Sequence, residues 1–138
     1  MRLQIFAEHD HAPQFNKRDV AFLVRRILKD EGKNSDNINV ILTGDDHLLE
    51  VNRRFLNHNY KTDVISFELG ERGIVDGEIY ISLDRAKIQA KRYGVPLEKE
   101  VLRLIIHGVL HLAGWEDATR SQKLRMRKRE NALINALN

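Results

Sequence analysis

The spacing of hydrophobic positions changes along the chain, and each change marks an element. Leu3-Gln4-Ile5-Phe6 alternates over a short first strand. Val20, Leu23, Val24, Ile27 and Leu28 then follow helical spacing, with Asn16 placed to cap the helix and Gly32 to stop it after about Glu31. Ile38 to Leu42 reads as a second strand. Asp45 or Asp46 starts a second helix carrying Leu48, Leu49, Val51, Asn52 and Phe55. Residues 63–69 alternate with β-branched and aromatic side chains, and Glu78 to Ile81 does so again after a loop, a pair of strands suited to a hairpin. Ser82 or Asp84 caps a third helix that ends near Gly94. Pro96 opens a fourth, which is apolar nearly all round through Val101, Leu102, Leu104, Ile105, Val109 and Leu110 and closes at Gly114. A last helix spans about Ser121 to Leu137. The pattern predicts an α+β fold: a small mixed four-stranded sheet packed with about five helices, the fourth central and buried.

Composition narrows this picture. At 138 residues, 42% hydrophobic and 31% charged, the chain reads as one globular domain over 1–138. It has no cysteine, which excludes a disulfide scaffold, a thiolate zinc finger and a cysteine nucleophile, and fits a reducing compartment. No stretch approaches the roughly 20 apolar residues of a membrane span, and the first residues lack the apolar run of a signal peptide. The net charge of +3 hides an asymmetry. Residues 1–83 carry 11 Lys and Arg against 14 Asp and Glu, and residues 84–138 carry 12 against 6.

The fourth helix contains His107-Gly-Val-Leu-His111. Histidines four apart share a helix face, about 5–6 Å apart at Cβ, so both imidazoles can reach one ion. Gly114 can turn the chain back and let Asp117 offer a carboxylate to the same ion. Two imidazoles, a carboxylate and an open position describe a catalytic zinc site, which acidifies its bound water to a pKa of about 7. The same spacing also occurs as an ordinary pair of side chains. Against that, two unpartnered imidazoles in an apolar helix would be costly to bury. Position 108 is Gly, so the Glu that serves as general base in His-Glu-x-x-His peptidases is missing. Glu116 is the nearest substitute, or else a solvated turn residue.

His107-Gly-Val-Leu-His111-Leu-Ala-Gly114-Trp115 resembles the signature of the YbeY family of endoribonucleases, rRNA maturation factors. Five further segments are similar to the family pattern in the same order. They are Asn52 with Phe55, residues 62–67, residues 77–82, Glu100 with Arg103 and Leu104, and Met126 with Glu130. The resemblance implies a metal-dependent hydrolase with one divalent ion, zinc foremost, held by His107, His111 and Asp117. It implies a cytoplasmic bacterial protein that cuts single-stranded RNA in small-subunit (16S) rRNA maturation and ribosome quality control, with ribosomal RNA or the small subunit as partner and no membrane. Other readings of the same ligand set are a peptidase or amidase, and a non-catalytic ribosome-associated factor with a structural metal.

Two positions depart from the family pattern. Asp117 stands where the family has a third histidine, and Leu56 stands where it commonly has a functional arginine. Arg53, one helical turn earlier, is a candidate to replace that arginine in part, or is a solvated helix residue. Arg120, Lys123 and Arg127, spaced at three and four, form a stripe on the last helix that can neutralise RNA phosphates or serve as a solvated face. Tyr60 and Trp115 could stack on bases, or Trp115 could pack at the helix end. His9, His11, His47 and His58 read as surface residues.

Overall fold

The computed structural model describes residues 1–8, 12–14, 16–58, 62–71 and 73–137. His9, His11 and Tyr60 lie outside the described residues. The elements follow in the order β1 (Arg2–Ala7), α1 (Lys17–Asp30), β2 (Asn37–Thr43), α2 (Asp45–Leu56), β3 (Val64–Glu68), β4 (Gly77–Ser82), α3 (Leu83–Tyr93), α4 (Leu97–Leu112) and α5 (Arg120–Asn135). They form the α+β architecture that the hydrophobic pattern predicts.

Local chemistry sets the helix ends. The Asn16 side chain accepts a hydrogen bond from Arg18 N–H, and the Ser82 side chain accepts one from Arg85 N–H. Thr119 and Gln122 make a reciprocal capping box at the start of α5. The start of α2 has no such cap of its own, and Asp84 of α3 supplies it by accepting from Asp45 N–H at 2.8 Å. Gly94 ends α3 in the left-handed region at φ 65°, where glycine carries no steric cost.

The sheet order is β1-β2-β4-β3. β1, β2 and β4 run parallel, and β3 pairs antiparallel with β4 as the edge. Alternation along each strand divides the side chains between two faces. Ile38, Val40, Leu42, Ile79 and Ile81 join the main core with α1 and α4, while Ile65, Phe67 and Tyr80 pack with Leu48 and Val51 of α2. α4 is the hub. It contacts α1, α3, α5, β3 and β4, and Val101, Leu104, Ile105, Ile106, Val109 and Leu110 on it are all buried. Each such side chain stabilises the fold by about 1.5–3 kcal/mol relative to exposure. Gly108 marks the closest approach of α4 to the sheet. A Cβ there would lie 2.6 Å from Ile79 Cγ2, so no side chain fits between helix and strand.

Candidate metal centre

His107 and His111 leave this buried helix on one face and are themselves only partly buried. After Leu112 the helix stops. Gly114 takes φ 102°, Trp115 N–H bonds back to the Leu110 carbonyl, and the Lys33 ammonium donates to the Ala113 carbonyl at 2.9 Å. The Trp115 indole N–H donates to Glu31 at 2.6 Å and fixes the turn against α1. Trp115 therefore packs at the helix end. The reversed chain brings Asp117 to the two histidines, as the glycine turn predicts.

The donor atoms converge tightly. His107 Nε2 and His111 Nε2 are 3.0 Å apart. Asp117 Oδ2 lies 3.3 Å from His107 Nε2, and Asp117 Oδ1 lies 3.4 Å from His111 Nε2. These are the only three His or carboxylate residues among the described ones grouped closely enough to hold an ion. Tetrahedral coordination with bonds of about 2.0–2.1 Å places ligand atoms about 3.3–3.4 Å apart, so the spacing matches.

The outer ring nitrogens decide what those inner atoms can do. His107 Nδ1–H donates to Glu130 Oε2 at 2.7 Å, and His111 Nδ1–H donates to the Trp115 carbonyl oxygen at 2.9 Å. Both partners only accept, so in the neutral rings the proton sits on Nδ1 and each Nε2 presents a lone pair. Two lone pairs and a carboxylate then face one point. Without a cation such an arrangement is repulsive, and with a divalent ion it is a ligand set with its outer partners in place. The residues present fit a metal ion.

Glu130 is held in turn. It is 1% exposed and accepts from Arg103 at 3.0 Å, and Arg103 also donates twice to Glu100, which is 2% exposed, at 2.6 and 2.9 Å. Burial works against the Arg103 charge, but Glu100 and Glu130 outweigh it and raise its pKa, keeping the guanidinium charged. Three residues from two helices thus fix one imidazole. The sequence reading matched Glu100, Arg103 and Glu130 to family positions without assigning them this task. A readable signal existed: Glu130 lies one turn from Met126 on the apolar stripe of an otherwise basic helix.

Two clefts meet at the centre. The first, of about 510 Å³, runs between α2 and β3 and is lined by Asn52, Leu56, His58, Asp63 and Ser66 beside the metal residues. His58, read from sequence as a surface residue, is exposed and borders this cleft. Leu56 does line it. Arg53 does not. It is exposed on α2, with Nη1 3.7 Å from Glu50. The second cleft, of about 490 Å³, lies between α3, α4 and α5 and is bordered by Tyr93, Lys123 and Arg127. Arg120 is exposed at the start of α5 and faces a separate shallow depression with Leu124 and Lys128. Glu116 is exposed and accepts from the Gln122 amide at 3.2 Å, away from the metal residues.

Comparison with known proteins meets this geometry. The sequence model of the family described as Endoribonuclease YbeY matches residues 5–138. The chain belongs to the YbeY family. It is 42% identical over 118 residues to Endoribonuclease YbeY of Chlorobaculum tepidum, covering 86% of each chain. It is 33% identical to Endoribonuclease YbeY of Parabacteroides distasonis over 137 residues, covering 99% of this chain and 96% of that one. A Thermotoga maritima protein solved in solution shares the fold with a TM-score of 0.62 and 28% identity, covering 96% of this chain and 87% of that one. Membership in an endoribonuclease family supports a nuclease role. No helix among the described residues is long and apolar enough to cross a membrane.

Proposed function

We propose that this YbeY family member is a metal-dependent, single-strand-specific endoribonuclease of 16S rRNA maturation and ribosome quality control. In this reading it works in the cytoplasm on the small ribosomal subunit or its RNA, with one divalent ion, zinc foremost. The supporting observation is the convergence of His107 Nε2, His111 Nε2 and the Asp117 carboxylate at 3.0–3.4 Å with both outer Nδ1 protons committed elsewhere. When bound, such an ion supplies an acidified water and a positive charge for a phosphate oxygen.

The chain's own residues supply the rest. Glu130 and the Trp115 carbonyl hold the imidazoles in the liganding tautomer. Clefts on both sides of the centre leave room for a strand to pass through, which suits cutting within a chain. Lys123 and Arg127 neutralise phosphates in the second cleft, and Arg120, facing a separate depression, adds positive charge only beyond it. Arg53 stands outside the lining of the first cleft, beside Glu50, and offsets Leu56 in this reading only by swinging toward a bound strand. A peptidase on the same donors would need a general base; position 108 is Gly packed against Ile79, and Glu116, the nearest substitute, is held by Gln122 away from the metal residues.

Metal analysis combined with cleavage of precursor 16S rRNA tests the proposal. Wild type should contain metal and cut, and His111→Ala should lose both. Metal-free wild type would remove the metal argument, and equal cutting by both proteins would reveal a contaminating nuclease. Metal without cutting would leave a structural ion. Cutting by Arg53→Ala at the wild-type rate would remove Arg53 from the assignment.

A further inference from the structure

The second cleft carries binding chemistry of its own. It shares Asp63, His107 and Asp117 with the first, so a strand crossing the centre continues from one into the other. Its cations are not equivalent. The charge of Arg103 is spent on Glu100 and Glu130. Lys123 is exposed and has no carboxylate partner among the described residues. Arg127 is half-buried, with Nη1 3.8 Å from the Glu130 carboxylate that Arg103 already holds more closely, and with its guanidinium carbon 4.7 Å from the centroid of the Tyr93 ring; Tyr93 remains 46% exposed.

An arginine packed on an aromatic ring makes a flat, preorganised platform, and a π face accepts any base. A phosphodiester next to it needs only positive charge, which Lys123 and Arg127 provide. We propose that the second cleft is a nucleotide subsite adjacent to the scissile phosphate. It takes the neighbouring phosphate on Lys123 and Arg127, and it stacks the neighbouring base against the Tyr93–Arg127 platform. The subsite rests on the endoribonuclease reading and extends it. Both contacts ignore the base edge, so the subsite confers strand affinity with little sequence preference.

The test uses zinc-loaded protein and an end-labelled single-stranded oligoribonucleotide, with bound metal measured for every variant. Tyr93→Ala should raise KM about 5- to 150-fold, the range for a lost base–aromatic stack. Tyr93→Phe, which keeps the ring, should recover most of that loss. Lys123→Ala should raise KM and flatten its salt dependence by about 0.7 in log–log slope, one phosphate contact on a single strand. Metal content should stay at the wild-type level throughout.

Wild-type KM and salt slope in Tyr93→Ala and Lys123→Ala would overturn the subsite while leaving the nuclease reading intact. A loss confined to kcat and accompanied by metal loss would also overturn it, because the damage would then be at the metal centre. If wild type neither binds nor cuts RNA, both readings fall. Should Tyr93→Ala fail to fold, the exposed Lys123→Ala decides alone.

Discussion

Asp117 places two oxygens toward the ion site, one nearer each histidine, where a histidine would offer one nitrogen. A carboxylate is a harder donor than imidazole, adds a negative charge, and can bind through both oxygens. Asp117→Ala should therefore lower bound metal sharply, and Asp117→His should retain metal and widen the preference for Zn2+ over Mn2+ in competition. Full retention by Asp117→Ala would move the third ligand elsewhere. Glu130 makes a second prediction at this scale. Glu130→Gln leaves the shape but weakens the acceptor for His107 Nδ1–H and strips a charge from Arg103. Outer partners of this kind typically carry about 10- to 100-fold in metal affinity. Chelator competition should read that loss in Glu130→Gln, and an unchanged affinity would reduce Glu130 to a packing residue.

The same contrast separates what the elements disclose in sequence from what they conceal. α4, its glycine turn and Asp117 were legible because every cue lies within the seventeen residues 101–117: the apolar run, the i, i+4 histidines and Gly114. The β3–β4 hairpin was legible from alternation. The link from His107 to Glu130 spans 23 residues and joins two helices, so it depends on how α4 and α5 pack, which no local period encodes. His58 escaped for the same reason, since it gains its neighbours only when α2 meets β3. Asp76 is a third such case. One oxygen of its carboxylate accepts from Ser35 Oγ–H and from the N–H groups of Asp36 and Asn37 at 2.8–3.0 Å, tying the entry of β2 to the entry of β4. Burial pushes the Asp76 pKa up, but those hydrogen bonds outweigh it and hold it below the ordinary 3.8. The folded protein thus binds this proton less readily than the unfolded chain. The stability Asp76 contributes is full above that ordinary value and is lost as pH falls through the folded-state value. Urea midpoints for wild type and Asp76→Asn should differ at pH 7 and converge toward pH 3. A gap that persists unchanged at pH 3 would assign the effect to shape instead of charge.

At the scale of the whole molecule, the charge asymmetry along the chain becomes an asymmetry in space. The acidic first 83 residues supply the sheet, α1 and α2, and the basic remainder supplies α3, α4 and α5 around the second cleft. Part of the basic side serves the fold. Arg129 pairs with Asp30 across α5 and α1, and Arg103 with Glu100 and Glu130. The cations of the second cleft not committed chiefly to the fold are then Lys123 and Arg127, fewer than composition implies. An RNA strand held there by about three to five phosphates gives a log–log salt slope of about −2 to −3.5. Raising salt from about 50 to 200 mM should then weaken binding by about 15- to 130-fold. Crosslinks from a bound oligoribonucleotide should fall on residues 84–137 and the cleft walls and spare β1 and α1. Salt-independent affinity, or crosslinks centred on α1, would mean that the uneven distribution of charge serves solubility and does not guide RNA binding.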